Sequence, residues 1–251
     1  MNIQSRTFTP VFDEGRHPRA KLGFVLLATE QTVHEDMIRI CPDGVGVHFT
    51  RVPIPDNITN ETLAAVGPEL TKASALLLPD GTLDVVSYAC TSGSLVLGQE
   101  KVEALLRAGN PNAQPSSIIA AVIRALEAIG AKRLVVATPY LDEINTAERD
   151  YLVQRGFEVL DIQGLNLAKD SDMVRVAPQF LADMAAGLDR PEADAIFISC
   201  GALRSVDIID DLEARTGKPV ITSNQALAWD ALRLAGINDR IEGFGRLLRE
   251  A

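Results

Sequence analysis

Apolar runs and amphipathic segments alternate along this 251-residue chain, and that alternation constrains its fold more than any other feature. The apolar runs have the length of strands, and the segments between them show helical periodicity. Predicted strands are 21–29, 44–52, 83–89, 132–140, 157–164, 193–199 and 218–224. Predicted helices are 30–41, 59–78, 93–109, 116–130, 142–156, 171–188, 203–217 and 225–236. Continuous apolar strands between helices predict parallel sheets that are covered on both faces.

The second half of the chain repeats the first half at a nearly constant distance. Thr29 corresponds to Thr138 at a shift of 109 residues, and Cys90 corresponds to Cys200 at a shift of 110. Such self-similarity indicates two related units. The predicted fold class is therefore α/β, with two similar pseudo-twofold-related lobes. Each lobe is a parallel sheet flanked by helices, and the active site lies in the cleft between them.

The boundary between the lobes is predicted from composition. The segment 108–116, AGNPNAQPS, is rich in proline and asparagine, as linkers are. The predicted units are residues 1–20 as an N-terminal arm, 21–114 plus 223–251 as lobe 1, and 115–222 as lobe 2. The arm is polar and interrupted by Pro10 and Pro18, which suits a loose segment or a contact between subunits.

The charge of the chain excludes several classes of partner. The net charge is −10 and the isoelectric point is about 4.8, so the surface repels nucleic-acid phosphates and anionic lipid. No segment reads as a signal peptide, and no run approaches the roughly 20 apolar residues of a membrane span. Three cysteines form no disulfide framework. We expect a cytoplasmic homodimer or homotetramer that binds a small carboxylate.

Cys90 and Cys200 each follow an apolar run and come just before a predicted helix. In open α/β sheets, ligands bind beyond the carboxyl ends of the strands. Two facing lobes would therefore place one thiol on each side of a bound molecule. A helix N-terminus stabilises a thiolate, which predicts activated cysteines. The alternative is that each is a small buried side chain that closes a strand. For Cys41, which precedes Pro42 at a helix end and has no counterpart in the second half, we expect a structural role.

The residues around the two cysteines offer polar groups for a ligand. Thr91 and Ser92 supply hydroxyls and amides in a small-residue turn that suits a carboxylate. Arg204 either reaches a carboxylate or pairs at the surface, and Ser223 with Asn224 either lines the cleft or caps the last helix. No histidine–carboxylate cluster has metal-ligand spacing and no glycine-rich phosphate loop follows a strand, so no cofactor is predicted.

Several segments carry a family resemblance that spans about residues 20–240. They are LGFVLLATEQTVHEDM, VGVHFTRVP, YACTSGS, ATPYLDEIN, SCGALRS and GKPVITSNQALAW. Together they resemble the aspartate/glutamate racemase superfamily. Within it they are most similar to maleate cis-trans isomerases, and in particular to the isomerase-like proteins that are encoded with ectoine-utilisation enzymes.

The resemblance implies a cofactor-independent mechanism with two cysteines. In racemases of this type, one thiolate removes the proton alpha to a carboxylate and the other thiol returns a proton on the opposite face. In maleate isomerases, a cysteine adds to the alkene, the central bond rotates, and the thiolate leaves. By resemblance, Cys90 is the nucleophile and Cys200 is the proton donor or second thiol.

The resemblance also implies which residues bind the substrate. Amides around Thr91 and Ser92, and around Gly201 and Ala202, would hold carboxylates as an oxyanion hole does. Tyr140 and Asn145, in the segment TPYLDEIN, match family positions that contact the substrate.

The chain departs from the family pattern at Glu30, which stands where maleate isomerases have an asparagine that touches the substrate. A carboxylate there would repel a dicarboxylate, and would instead bind an amino group or act as a base. An amino-acid-like or amide-bearing substrate therefore fits better than maleate. The structural alternative is that Glu30 is a helix N-terminal residue that interacts with the helix dipole.

Two further departures bear on the reaction. Gly201 and Ala202 follow Cys200, whereas glutamate racemases carry a histidine two residues after that cysteine. Arylmalonate decarboxylases share the Cys-Gly pair of the second site but lack the first cysteine, which is present here as Cys90. The alternatives to an isomerase are thus a decarboxylase of that type or a non-catalytic protein that binds a small acid.

Overall fold

The computed structural model describes residues 5–251. The strands are β1 (Ala20–Leu27), β2 (Val45–Val52), β3 (Val85–Tyr88), β4 (Gln114–Ser117), β5 (Arg133–Thr138), β6 (Glu158–Gly164), β7 (Ala195–Ile198) and β8 (Val220–Thr222). The helices of the first half are α1 (Val33–Ile40), α2 (Asn60–Ala65), α3 (Gly67–Ala75), α4 (Thr91–Leu97) and α5 (Gln99–Gly109). Those of the second half are α6 (Ile118–Ala128), α7 (Asp142–Gln154), α8 (Asp170–Met173), α9 (Pro178–Leu188), α10 (Ile209–Thr216), α11 (Ser223–Leu234) and α12 (Gly245–Glu250), with a 3-10 helix at Val206–Ile208.

The strands form two parallel four-stranded sheets with the same internal order. The first sheet runs β2-β1-β3-β4 and the second runs β6-β5-β7-β8. Leu22 at the centre of the first sheet pairs with Val47 on one side and Val85 on the other. The predicted fold class, two similar α/β lobes, is confirmed. The shared order places β3 and β7 at equivalent positions, and Cys90 and Cys200 follow these two strands.

The fourth strand of the first sheet is the main element that the sequence pattern did not indicate. Residues 116–130 were expected to be helical throughout, but β4 occupies Gln114–Ser117 and α6 begins at Ile118. The strand is too short and polar to read as one, since its sequence is Gln-Pro-Ser-Ser. It pairs with β3 and so belongs to the first sheet, three residues beyond the predicted end of lobe 1 at residue 114.

The predicted helices of the second half differ in where they begin. The segment 171–188 is interrupted before Pro178, which starts α9. The segment 203–217 begins as a turn, becomes a 3-10 helix at Val206 and an α-helix only at Ile209. Consequently no helix starts directly after Cys200, which corrects the expectation for that cysteine.

The helices α6 and α11 pack against each other and join the two lobes. Every residue of α11 from Ser223 to Leu232 is buried, so this helix lies inside the molecule. One apolar cluster includes Phe24 of β1 and Phe197 of β7 together with residues of both helices. Burial of each such side chain stabilises the fold by roughly 1.5–3 kcal/mol, which favours a fixed arrangement of the two sheets.

The predicted arm contains no helix or strand from residue 5 to residue 19, and its first four residues lie outside the described part of the chain. His17 rests on Gly46, where an added Cβ would come within 2.4 Å of the imidazole ring. Phe8, Val11 and Phe12 extend into solvent and are at least 80% exposed. Within residues 5–251, every helix is too short or too polar to cross a bilayer.

Candidate active site

A small cavity lies between the carboxyl ends of the two sheets. Its volume is about 20 Å³, which is room for about one water molecule. Eight of the nine site residues expected from the sequence line it: Glu30, Cys90, Thr91, Ser92, Tyr140, Cys200, Gly201 and Ala202. Leu27, Ile58, Ala89, Asp170 and Met173 complete the lining and were not anticipated.

Cys90 is the N-cap of α4, because the apolar strand β3 gives way to small residues that allow a tight turn. Its Sγ accepts a hydrogen bond from the Gly93 N–H at 3.3 Å and lies 3.7 Å from the Ser92 hydroxyl. Only glycine fits at position 93, since a Cβ would come within 2.4 Å of the Tyr88 hydroxyl. The turn thus fixes the position of the thiol.

Burial raises the pKa of the Cys90 thiol to about 11, although the Gly93 N–H and the Ser92 hydroxyl lower it. In the closed cavity, burial therefore opposes the thiolate that the helix N-terminus was expected to stabilise, and it outweighs the hydrogen bonds. Ionisation requires that the surroundings of the thiol change, either by opening or by the charge of a ligand.

Cys200 follows β7 and has a backbone φ of +105°, a region that non-glycine residues rarely adopt. Strain of this kind concentrates at functional sites and persists only where neighbours enforce it. Burial, followed by the charge of Asp170, raises the pKa of the Cys200 thiol. The N–H of Ala202 lowers that pKa, so the turn after the strand supplies the donor in place of a helix.

Ser223 joins the turns that carry the two cysteines. Its Oγ accepts hydrogen bonds from the Cys200 N–H and from Thr91 Oγ1, both at 3.0 Å. Ser223 is fully buried at the start of α11. Ser223 does not line the cavity. It does not cap α11 either, because the N-cap of that helix is Thr222. Ser223 instead forms hydrogen bonds with both turns that carry the thiols.

Asn224 also forms a hydrogen bond with the turn that follows Cys200. Its Nδ2 donates to the Gly201 carbonyl at 2.9 Å and to Asp36 Oδ2 at 2.7 Å. Burial raises the pKa of Asp36 to about 7 despite the hydrogen bond from Asn224. Gly201 is closely packed, since a Cβ would lie 3.1 Å from Val33 of the other lobe. The two lobes therefore meet tightly at this turn.

Glu30 combines a structural role with a free oxygen at the cavity. Its Oε1 accepts hydrogen bonds from the Val33 N–H at 2.6 Å and from the Thr32 N–H, which satisfies the start of α1. Its Oε2 is buried without a hydrogen-bond partner. Burial raises the pKa of Glu30, with the two N–H groups opposing. The helix-terminus interpretation accounts for one oxygen only.

Asp170 is the polar cavity residue that sequence reasoning missed. It opens the short helix α8 of the second lobe, and its Oδ2 accepts a 2.5 Å hydrogen bond from Thr29 Oγ1 of the first lobe. Burial raises its pKa. An aspartate at a helix start reads as a solvent-exposed residue in the sequence. Only the contact between lobes brings it to the cysteines.

Tyr140 lines the cavity, but Asn145 does not. The Tyr140 hydroxyl is buried and lies beside the Cys200 thiol, whose pKa it lowers. Asn145 accepts a 2.5 Å hydrogen bond from Thr138 Oγ1 and donates to the Tyr140 carbonyl at 3.4 Å, so its amide is used within its own lobe. The substrate contact of Asn145 stays a prediction. Arg204 is exposed and donates to the Val176 carbonyl, away from the cavity.

Two loops, one from each lobe, close the cavity. We call residues 53–59 and 165–173 the lid loops. The Ile58 N–H donates to the Ala168 carbonyl at 2.8 Å, and Ser171 Oγ donates to Asp56 Oδ2 at 2.7 Å. Ile58 and Met173 of these loops line the cavity. The cavity holds about one water and is too small for a carboxylate substrate in this arrangement.

The fold and the cavity together define a class of protein: two parallel α/β lobes of equal strand order, each ending its third strand in a buried thiol. This is the arrangement predicted for the aspartate/glutamate racemase superfamily, and that prediction is confirmed. The sequence model described as arylmalonate decarboxylase matches residues 40–248. The chain belongs to this family.

Individual relatives include two kinds of enzyme. A maleate isomerase from Pseudomonas putida is 28% identical over 220 residues, which cover 84% of this chain and 87% of that protein. An arylmalonate decarboxylase from Bordetella bronchiseptica is 35% identical over 134 residues, 52% of this chain and 56% of the relative. A Nocardia farcinica maleate cis-trans isomerase mutant with a covalent succinylcysteine intermediate shares the fold at a TM-score of 0.85 and 24% identity, covering 92% of this chain and 99% of that chain.

Proposed function

We propose that this protein is a cofactor-independent isomerase that acts on a small carboxylate through Cys90 and Cys200. The observation that carries the proposal is the pair of buried thiols, which follow equivalent strands of two lobes and line one cavity. The maleate isomerases among the relatives support the same class of reaction.

The chemistry follows from thiols on opposite sides of a bound acid. For an unsaturated acid, the ionised Cys90 sulfur adds to one alkene carbon, and Cys200 gives a proton to the neighbouring carbon. The central bond becomes single and rotates. Cys200 then takes back the proton, and the electron pair of the C–H bond restores the double bond as the Cys90 thiolate leaves. For a saturated amino acid, one thiolate removes the alpha proton and the other thiol returns one from the opposite face.

The turns beside the thiols supply the groups that hold the substrate. Thr91 and Ser92 of one cysteine turn line the cavity, and so do Gly201 and Ala202 of the other. Amide donors fixed in place stabilise the negative charge that develops on the carboxylate when the alpha carbon becomes a carbanion. Closure of the lid loops excludes water, which would otherwise protonate that carbanion.

The proposed setting is the breakdown of ectoine in the cytoplasm, by a homodimer or homotetramer. The resemblance of the motifs to isomerase-like proteins of ectoine utilisation supports the setting, and three free cysteines suit a reducing compartment. Exposed Phe8, Val11 and Phe12 of the arm support self-association. The acids released by ring opening of ectoine carry both amino or amide nitrogen and a carboxylate.

The second candidate is decarboxylation, which the family match favours. Cys200 lies in the Cys-Gly pair that the chain shares with decarboxylases of the family. Cys90 is the residue that argues against it, because a decarboxylase needs one proton-donating thiol and not two. Release of carbon dioxide from an arylmalonate would support this candidate, and its absence together with isomer conversion would exclude it.

A panel of acids tests the proposed function. The purified protein is incubated with maleate, maleamate, both enantiomers of 2,4-diaminobutanoate and their N-acetyl derivatives. Proton NMR and chiral chromatography follow the products. We expect interconversion of isomers without added cofactor for at least one acid. Stoichiometric binding without conversion of any acid would instead support the non-catalytic acid-binding protein.

A further inference from the structure

The cavity contains two carboxyl groups and no basic side chain. Glu30 and Asp170, one from each lobe, line the cavity and are 5% and 6% exposed. No lysine or arginine among residues 5–251 lines it. Burial raises the pKa of both carboxyls, and a positive charge in the same space would favour their ionised forms.

The nearest candidate for that charge is used elsewhere. The Arg51 guanidinium donates to the backbone carbonyls of Leu27 and Glu30, at 2.9 and 2.7 Å, and is not hydrogen-bonded to either carboxylate. Arg51 holds the backbone that leads into α1 and does not line the cavity. Its charge lowers the pKa of Glu30 from outside the cavity, but burial outweighs it. No positive charge is among the groups that shift the pKa of Asp170.

An unpartnered oxygen marks where the ligand would bind. Glu30 Oε2 has no hydrogen-bond partner, while Oε1 of the same carboxylate is held by two backbone N–H groups. The Glu30 carboxylate is thus fixed with one acceptor unused. In the other lobe, Asp170 Oδ2 accepts a hydrogen bond from Thr29 of the first lobe. The Tyr140 hydroxyl, buried beside the Cys200 thiol, adds a further polar group to the same cavity.

We propose that Glu30 and Asp170 form a subsite for the ammonium group of the substrate, so that the enzyme selects small amino acids over dicarboxylates. This inference rests on the proposed function and names its substrate class. An ammonium group has three donors, enough to reach both carboxylates. The substrate carboxylate is held by the donors of the cysteine turns. A dicarboxylate would place a second negative charge against Glu30 and Asp170.

The ammonium group also changes the surroundings of the thiols. Asp170 is among the groups that raise the pKa of both Cys90 and Cys200 through its negative charge. A cation bound to Asp170 neutralises that charge and favours a thiolate nearby. The substrate class that satisfies the two carboxylates therefore also favours the ionised cysteine that the reaction needs.

Three four-carbon acids share one carboxylate and differ at the other end of the chain, which is an ammonium group in 4-aminobutanoate, a second carboxylate in succinate and a methyl group in butanoate. Thermal unfolding of the full chain with increasing probe gives apparent dissociation constants, because a ligand that binds only the folded state raises the midpoint. We expect 4-aminobutanoate to bind about ten-fold or more tightly than succinate, the factor of one charge-assisted hydrogen bond. Butanoate, with one carboxylate and no second charge, should fall between them.

Isosteric variants assign the preference to the two residues. Glu30→Gln and Asp170→Asn should each raise the dissociation constant of 4-aminobutanoate about ten-fold. Each should therefore reduce the ratio by which 4-aminobutanoate binds more tightly than succinate. Glu35→Gln and Glu143→Gln are the controls, because these carboxylates are solvent-exposed, one in each lobe, and do not line the cavity. The controls should leave all three constants unchanged. If one cavity variant does not fold, the other still tests the subsite.

Two results would overturn the subsite. One is that succinate binds as tightly as 4-aminobutanoate, or that neither raises the unfolding midpoint. The other is that both cavity variants retain the wild-type preference. These outcomes are distinct from failure of the proposed function, which is read from isomer conversion in the acid panel. A maleate-converting enzyme that rejects 4-aminobutanoate would refute the subsite alone.

Discussion

The Ser223 hydroxyl oxygen accepts a hydrogen bond from the backbone N–H of Cys200 at 3.0 Å, and Cys200 has a φ of +105°. The same oxygen accepts from Thr91 Oγ1, beside Cys90. A single buried serine therefore contacts the turns of both thiols and holds one of them in a strained conformation. Because α11 carries this serine between the lobes, the helix that joins the lobes also aligns their cysteines.

Replacement of Ser223 by alanine should lower kcat more than it changes KM. The Cys200 N–H and the Thr91 hydroxyl lose their acceptor, so the two thiols shift relative to the substrate, with a loss of about 10²-fold in kcat. The cost to stability is about 1–3 kcal/mol. Ser74→Ala is the matched control, because this buried hydroxyl donates to the Leu106 carbonyl away from the cavity. Equal kcat losses in both variants would show a general stability effect.

A cross-link between the lid loops should block entry to the cavity. Asn57 and Lys169 form an antiparallel bridge between the loops, so cysteines at both positions are close enough for a disulfide. In the doubly substituted Asn57→Cys, Lys169→Cys protein, we expect oxidation to abolish turnover and to slow iodoacetamide labelling of Cys90. Reduction should restore both. Unchanged labelling in the oxidised protein would mean that ligands reach Cys90 by another path.

The buried carboxyl of Glu148 predicts a loss of stability as pH rises. It accepts a 2.6 Å hydrogen bond from Ser199 Oγ, and burial raises its pKa to about 7 from an ordinary value of 4.5. A raised folded-state pKa gives stability that is complete below pH 4.5 and is lost as pH rises to about 7. The loss is roughly 3 kcal/mol for this group. Asp36 has a similarly raised pKa and contributes over the same range.

Urea unfolding at pH 5 and pH 8 measures this effect. Glu148→Gln should reduce the difference between the two free energies of unfolding by roughly 3 kcal/mol, leaving the shares of Asp36, Glu30 and Asp170, whose pKa values are also raised. Glu143→Gln, on the exposed side of the same helix, serves as the control. The prediction fails if the difference in Glu148→Gln equals that of the wild type.

The N-terminal arm is predicted to contribute to self-association. Phe8 and Phe12 are 80% and 86% exposed, which is unusual for large apolar side chains. We expect Phe8→Ser with Phe12→Ser to lower the mass observed in sedimentation velocity at micromolar concentration. Thr9→Ser, on the same exposed segment, should have no effect. A wild-type protein that sediments as a monomer would refute the prediction directly.

The sequence predicts the parts of the molecule whose signal is local. The apolar run before Cys90 and the small residues after it identify a strand and a tight turn, and the recurrence at Cys200 identifies the second lobe. Strand β4 was not predicted because Gln114–Ser117 is short and polar. It is a strand because it pairs with its neighbour β3. Its identity depends on tertiary pairing, which no local pattern reports.

In the candidate site as well, the residues of a local motif could be predicted and those brought in by contacts between the lobes could not. Cys90, Thr91 and Ser92 are consecutive, so a motif contains them. Asp170 reaches the cavity through a hydrogen bond to Thr29, 141 residues away in the sequence. The raised pKa of the Cys90 thiol could not be predicted from the sequence either. Burial in the closed cavity raises this pKa more than the hydrogen-bond donors of the motif lower it. Contacts between lobes set these properties.

The most direct test of the account compares Cys90→Ser, Cys200→Ser and Cys41→Ser in deuterium oxide. Each protein is given the acids that the wild type converts, and NMR records isomer formation and deuterium at the reacting carbon. The account predicts that conversion is lost in Cys90→Ser and Cys200→Ser, while Cys41→Ser retains the wild-type rate. Wild-type conversion by either cavity variant, or no conversion of any acid by the wild type, would contradict the two-thiol mechanism.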